Sequence, residues 1–214
     1  MLGVMLGNKH SFYDLGLLLK SYPKITPPKP QTKFVSVPGR DGALNLSRAL
    51  TGHMQYDRRT ITMEFTIKDQ RTDWLDISSG IMDALHGQEM DVILDDDQEF
   101  CYTGLLSVEG FDPQKVISDV TITADVEPYK TRINATRMSV SVSGTDAITI
   151  NGNKKPVCPM ITASSAMQMT FAGHAFDLAE GENTFPDVII REGANIFTFT
   201  GSGNVVLEYR EGRF

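Results

Sequence analysis

The residues able to carry chemistry are few and scattered. The chain has four histidines, His10, His53, His86 and His174, and none has a second histidine or a cysteine at the spacing that lets two ligands share a helix face or a loop. The two cysteines, Cys101 and Cys158, form no CxxC pair and are expected to be free, buried thiols of a reducing compartment. The strongest cation signal is the acidic run Asp95-Asp96-Asp97-Gln98-Glu99. Set into a calcium loop with Asp95, Asp97 and Glu99 at the first, third and fifth positions, it puts Phe100 where glycine is required and Leu106 where a bidentate glutamate is required. The run therefore reads as a solvated hairpin tip. Gly201-Ser202-Gly203 lacks the third glycine and following helix of a dinucleotide loop, and is expected to be a hairpin between strands. With no nucleophile elbow, HExxH or P-loop, the expectation is a protein without catalytic residues, cofactor or metal, and not an enzyme.

The elements that would position such groups build surfaces. With 214 residues the chain can form one large domain or two modest ones. A hydrophobic content of 41% against 22% charged residues is that of a folded domain, which argues against disorder. The net charge of −7 leaves no basic footprint for holding nucleic acid by its phosphates. The N-terminal stretch MLGVMLGNKHSFYDLG has no basic lead or long apolar run, so neither a signal peptide nor a transmembrane span is expected.

Residues 60–67 alternate Thr60, Thr62, Glu64 and Thr66 with Ile61, Met63, Phe65 and Ile67, the period of two that a half-buried strand requires. Before it, Pro38-Gly39 and Asp41-Gly42 force a turn, and Leu44-Asn45-Leu46 resumes the alternation. Four prolines between Pro23 and Pro30 prefer an extended path and cannot donate regularly to a sheet, so this stretch reads as a surface connector or an arm reaching a neighbour. After Ile67 the period changes. Thr72 or Asp73 can cap a helix beginning near Trp74, with Trp74, Ile77, Ile81 and Leu85 on one face, Trp74 expected in the core, and Gly87 placed to end it. Met90 to Leu94 and Phe100 to Val108 read as a hairpin over the acidic tip, and Val116 to Val126 as another alternating strand.

From about Thr131 the composition shifts toward Ser, Thr, Gly and Asn. Short strands are expected at 138–142, 147–150 (before an Asn151-Gly152 hairpin), 157–162, 167–171, 174–178, 188–190, 196–200 and 205–209. Such spacing argues for a small sandwich or jelly roll. The fold class is mainly β with one amphipathic helix, divided into an N-terminal domain over 1–130 and a C-terminal β-sandwich over 131–214.

The order and spacing of several segments resemble the phage distal tail protein (Dit) family. They include Gly7-Asn8-Lys9-His10-Ser11 with Asp14-Leu15-Gly16-Leu17 behind it, the proline-rich connector, Val37-Pro-Gly-Arg-Asp-Gly-Ala-Leu-Asn-Leu46, and Leu50-Thr51-Gly52. Tyr56 to Arg59, the following strand and helix, Glu127-Pro128-Tyr129-Lys130, and the closing strand 203–212 also fit. Asn45 stands where the family often has an aspartate. The resemblance implies a ring-forming N-terminal domain that assembles head to tail into a homo-hexamer, with a galectin-like C-terminal sandwich projecting outward. It also implies a virion tail-tip location after synthesis in the host cytoplasm. The tail tube protein would lie on one side and a tip or receptor-binding protein on the other, with DNA passing through the lumen unbound and no membrane insertion. Ring-interface candidates are Phe12, Tyr13, Tyr56, Arg59 and Tyr102. Asp91, Asp95, Asp96, Asp97 and Glu99, with Asp119 and Asp125, are candidates for an acidic lumen lining. The alternative is a carbohydrate-binding, lectin-like attachment protein, which would want an exposed aromatic platform; the C-terminal half offers no tryptophan and Tyr209 as its tyrosine.

Overall fold

A computed structural model describes residues 3–67, 74–113 and 118–214, leaving the side chains of 74, 75, 112, 113 and 118 aside. The chain divides into two compact units, Met1–Pro128 with Phe214, and Tyr129–Arg213.

Unit 1 contains the strands β1 (Val4–Leu6), β2 (Lys9–His10), β3 (Leu17–Leu19), β4 (Lys24–Ile25), β5 (Phe34–Val35), β6 (Leu44–Asn45) and β7 (Arg59–Ile67). The helix α1 (Trp74–Leu85) follows, then β8 (Glu89–Leu94), β9 (Phe100–Pro113) and β10 (Ser118–Val126). An antiparallel sheet runs β2-β1-β8-β9-β10-β7-β3, with β4 also on β7. The alternation of β7 does what its sequence demands: Arg59, Ile61, Met63, Phe65 and Ile67 all face inward. Ile122, Ala124 and Val126 lie opposite Met63, Ile61 and Arg59 on β10. Ile81 and Leu85 of α1 join the same core. Gly87, at φ 72°, ends the helix in the left-handed region that glycine enters without a steric penalty. The expected cap at Thr72 or Asp73, the Trp74 side chain, and the start of the strand expected from Val116 lie outside the described residues.

Unit 2 holds β11 (Lys130–Arg132), β12 (Thr136–Gly152), β13 (Met160–Ala163), β14 (Met167–Phe171), β15 (His174–Leu178), β16 (Gly181–Asn183), β17 (Gly193–Tyr209) and β18 (Gly212–Arg213). β12 and β17 pair continuously from Thr136 opposite Tyr209 to Gly152 opposite Gly193. The other edge of β17 is shared: Phe197–Thr200 pair with β14 and Val205–Glu208 with β13. Val142, Phe197, Phe199, Val205 and Leu207 are among the buried residues of this second core.

Several expectations are corrected here. Gly201-Ser202-Gly203 is not a hairpin but the middle of β17. A Cβ on Gly201 would meet the Met167 Cβ at 2.7 Å, and one on Gly203 would meet the Ser164 Oγ at 2.5 Å. The bend between β13 and β14 runs alongside β17 there, in the same antiparallel register as both strands, held by Ser164 N–H donating to the Asn204 carbonyl at 2.9 Å and Asn204 N–H to the Ser164 Oγ at 2.8 Å. The glycines permit this close approach instead of a reversal. The segments 196–200 and 205–209 are therefore one strand; 138–142 and 147–150 are also one strand, with Gly144 inside β12 and paired with Gly201. Asn151-Gly152 ends β12 against Ala194 and Gly193 and makes no tight turn. Residues 188–190 form a single bridge, Ile190 with Val157, instead of a strand. Cys101 is buried as expected, but Cys158 is exposed.

The sequence also carries a short repeat. Leu178-Ala-Glu-Gly-Glu-Asn-Thr-Phe185 and Ile190-Arg-Glu-Gly-Ala-Asn-Ile-Phe197 share the same spacing of apolar, Glu-Gly, Asn and Phe. Their asparagines repeat the same bonds. The Oδ1 of Asn183 accepts from Ala179 N–H, and its Nδ2 donates to the carbonyls of Ala179, Gly181 and Ile161. Asn195 does the same with Arg191, Gly193 and Ile150.

Candidate functional site

The predicted interface residues fall into two places. Phe12 and Tyr13 sit in the turn after β2, ring centres 5.3 Å apart, with Phe12 half-buried and Tyr13 78% exposed. The turn is tied down by His10, whose Nδ1 accepts from Phe12 N–H at 3.1 Å and Tyr13 N–H at 3.3 Å. Accepting at Nδ1 places the proton on Nε2, which stands 3.3 Å from the Asp95 carboxylate.

Tyr56, Arg59 and Tyr102 come together elsewhere. Arg59 holds an inward position of β7 and is 5% exposed, while Tyr102 on β9 is 4% exposed. The guanidinium stacks on the phenol ring 5.0 Å from its centre. Its Nε and Nη2 are buried with no hydrogen-bond partner. Burial lowers the Arg59 pKa and the Tyr102 phenol raises it; burial raises the Tyr102 phenol, Arg59 lowers it, and Asp97 and Asp96 raise it further. Arg59 also lines a groove of about 330 Å³ with Ile25, Pro27, Pro28, Tyr56 and Phe214. Tyr56 packs edge-on to Phe214 at 4.8 Å. The strand begins one residue before the alternation read from the sequence, and this puts Arg59, an interface candidate, on the core side with Ile61. Pro27 and Pro28 belong to the proline-rich stretch read as a connector or arm, whereas Ile25 and Phe214 carry no local signal, because the groove forms only when distant segments meet.

The acidic candidates differ in exposure and in the bonds they make. Asp91, Asp96 and Glu99 are exposed, and Asp91 accepts a hydrogen bond from Thr103. Asp95 is engaged by Gly3 N–H at 2.7 Å and by His10. Asp97 is half-buried at the hairpin tip, where Phe100 N–H donates to its carbonyl. Asp119 is bound by Lys20 at 2.8 Å and Thr66 at 2.9 Å, and Asp125 lies 3.3 Å from Arg58. Among the described residues no group of three or more His, Cys, Asp or Glu could hold a metal ion. None of their helices is long and apolar enough to cross a membrane.

The segment between β4 and β7 is an arm. Backbone bonds link Asp57 to Lys29, Gln31 to Gln55 and Leu46 to Lys33, and β5 pairs with β6. Every residue from 31 to 43 is exposed, including Phe34, Val35 and Val37, and Leu50 is 97% exposed. A soluble chain seldom shows this much apolar surface on one projection unless something covers it.

No family model matches the sequence, and no curated protein matches it. The architecture is mainly β, with α1 the one helix among the described residues. One solved structure with a similar fold is that of SPP1 Dit, described as a paradigm of the hub adsorption apparatus in phages infecting Gram-positive bacteria. It is similar over 100% of both chains with a TM-score of 0.70 at 10% identity. A conserved protein of unknown function from Pseudomonas aeruginosa PAO1 gives a TM-score of only 0.27, at 12% identity over 90% of this chain and 98% of that one. A likeness that weak carries no argument.

Proposed function

We propose that this protein is a structural, non-enzymatic hub of a phage or prophage tail tip. Copies assemble head to tail into a hexameric ring that joins the tail tube to the tip or receptor-binding proteins and lets DNA pass. The observation that carries this reading is the full-length likeness to a hub protein at a TM-score of 0.70. It is supported by unit 1 offering unlike surfaces, the apolar arm and the groove over Arg59, since closed rings built from one chain need two different complementary faces per subunit. Charge supports it as well: the chain carries −7, and Asp91, Asp96 and Glu99 are exposed, as the lining of a channel that phosphate does not stick to would be. Nothing favours the lectin reading, because Tyr209, the tyrosine a sugar would have stacked on, is 7% exposed.

Light scattering of the purified chain together with negative-stain images tests the reading. Rings of six with a central hole are expected; a monomer at every concentration, with no ring on addition of tail tube protein, would sink it.

A further inference from the structure

The geometry points to the groove over Arg59 as the receptor for the arm of a second copy of this chain, with Asp41 supplying the carboxylate that Arg59 lacks. This deepens the ring reading and rests on it. A guanidinium stays ionised in proteins, and burying an ion without a counter-charge costs several kcal/mol after relaxation. Arg59 is in that state, with Nε and Nη2 buried and unpartnered and a single aromatic face as its compensation. The walls around it, Ile25, Pro27, Pro28, Tyr56 and Phe214, are apolar or aromatic. The fitting occupant is therefore apolar with one acid.

The arm has that composition. Val35 and Val37 are exposed, and Asp41 is exposed in the turn that follows them. It cannot serve its own groove. Pro28 and Tyr56 lie at the arm's root, where Pro30 bridges Tyr56, and the pairs 31 with 55, 33 with 46 and 35 with 44 carry the turn progressively away from that root. Tip and root thus belong together only between copies. A tip-to-root contact is heterologous, so it propagates in one direction and closes when the rotation allows.

The test uses the full chain with Cys158→Ser to remove the exposed thiol. Pairing Asp41→Cys with Pro28→Cys and oxidising should give a ladder of cross-linked species on non-reducing gels, whereas Asp41→Cys alone should give no species beyond dimer. Without cysteines, Asp41→Lys should raise the concentration at which the oligomer dissociates by about tenfold or more, and Arg40→Ala should leave it unchanged. An oligomer that forms normally with Asp41→Lys and shows no pair-dependent ladder would overturn the groove assignment while leaving the ring. A chain that stays monomeric in all variants, including the parent, would overturn both.

Discussion

The guanidinium carbon of Arg59 stands 5.0 Å from the centre of the Tyr102 ring, and both residues are almost wholly buried. The two sides of this contact should respond oppositely to mutation. Tyr102→Leu removes the ring that offsets the charge and opens space beside it, so a loss of about 2 to 4 kcal/mol is expected. Arg59→Met replaces an unpaired buried ion with an apolar chain of similar length, and the isolated chain should be as stable or more stable, by about 1 kcal/mol or more. Urea unfolding of the two variants beside the parent reads both. Equal destabilisation would mean that the guanidinium is satisfied in the isolated chain.

Alkaline pH should unfold the chain through its buried phenols. Burial is the main cause raising the Tyr102 pKa, and also the Tyr209 pKa, where Glu211 adds to it. A raised folded pKa means that the folded state holds its proton more tightly than the unfolded state. The contribution is therefore complete below the ordinary tyrosine value of about 10 and is lost as pH climbs through the folded value. Melting temperature should fall from about pH 10 upward, and Tyr102→Phe should flatten the fall. An unchanged slope in that variant would assign the alkaline loss to other groups.

Where local pattern decides structure, the sequence was legible. β7 follows from eight alternating residues, α1 from its period and Gly87, and β14 and β15 fall at 167–171 and 174–178 as read. The long strands are not legible, because a glycine in a strand and a glycine in a turn look alike until the neighbouring chain is known. Gly201-Ser202-Gly203 has the pattern of a reversal, but what it accommodates is the Ser164–Met167 segment packed against it, more than thirty residues earlier in sequence. The groove was legible only in part. The prolines mark a connector and Arg59 and Tyr56 stand among the interface candidates, but no one-dimensional pattern could place Phe214 beside Tyr56.

The outer face of unit 1 carries an acid-sensitive tie. The hydrogen bond from Lys20 is the main cause holding the Asp119 carboxyl below its ordinary range, followed by Thr66. A lowered folded pKa gives stability that is present above the unfolded value of about 3.9 and disappears as pH falls through the folded value. Lys20 and Asp119 are both partly exposed, so solvent screens the pair. Asp119→Asn should cost about 0.5 to 1 kcal/mol at neutral pH and nothing at a pH below the folded value. Paired urea titrations at neutral and strongly acidic pH check this; a cost that persists in acid would point to packing rather than charge.

Close backbone approach fixes Gly104. It lies opposite Val126 in the β9–β10 ladder, and a Cβ there would meet the Asp125 carbonyl oxygen at 2.1 Å and the Val126 Cα at 2.5 Å. Both obstacles are backbone, so neither can swing aside. Gly104→Ala should push the two strands apart and cost about 3 kcal/mol, seen as a lower urea midpoint. A variant within about 0.5 kcal/mol of the parent would show that β9 and β10 separate easily at this point.

The two asparagines of the Glu-Gly-x-Asn repeat should rank by burial. Each spends its whole amide on the backbone, accepting once and donating to three carbonyls, but Asn195 is buried and Asn183 only half-buried. Replacing a buried side chain that satisfies backbone groups leaves those groups unpaired, at about 1 to 3 kcal/mol each in the worst case, while water can reach part of the Asn183 site. Asn195→Ala should therefore cost about 3 kcal/mol and Asn183→Ala about half of that. Asn195→Asp should cost more than alanine, because it turns an amide NH2 whose two N–H groups serve three carbonyls into a carboxylate facing them. Hydrogen exchange at the Arg191 amide, which donates to Asn195, should accelerate in both Asn195 variants and stay slow in Asn183→Ala. Acceleration at Arg191 in Asn183→Ala would mean that the two loops open as one unit.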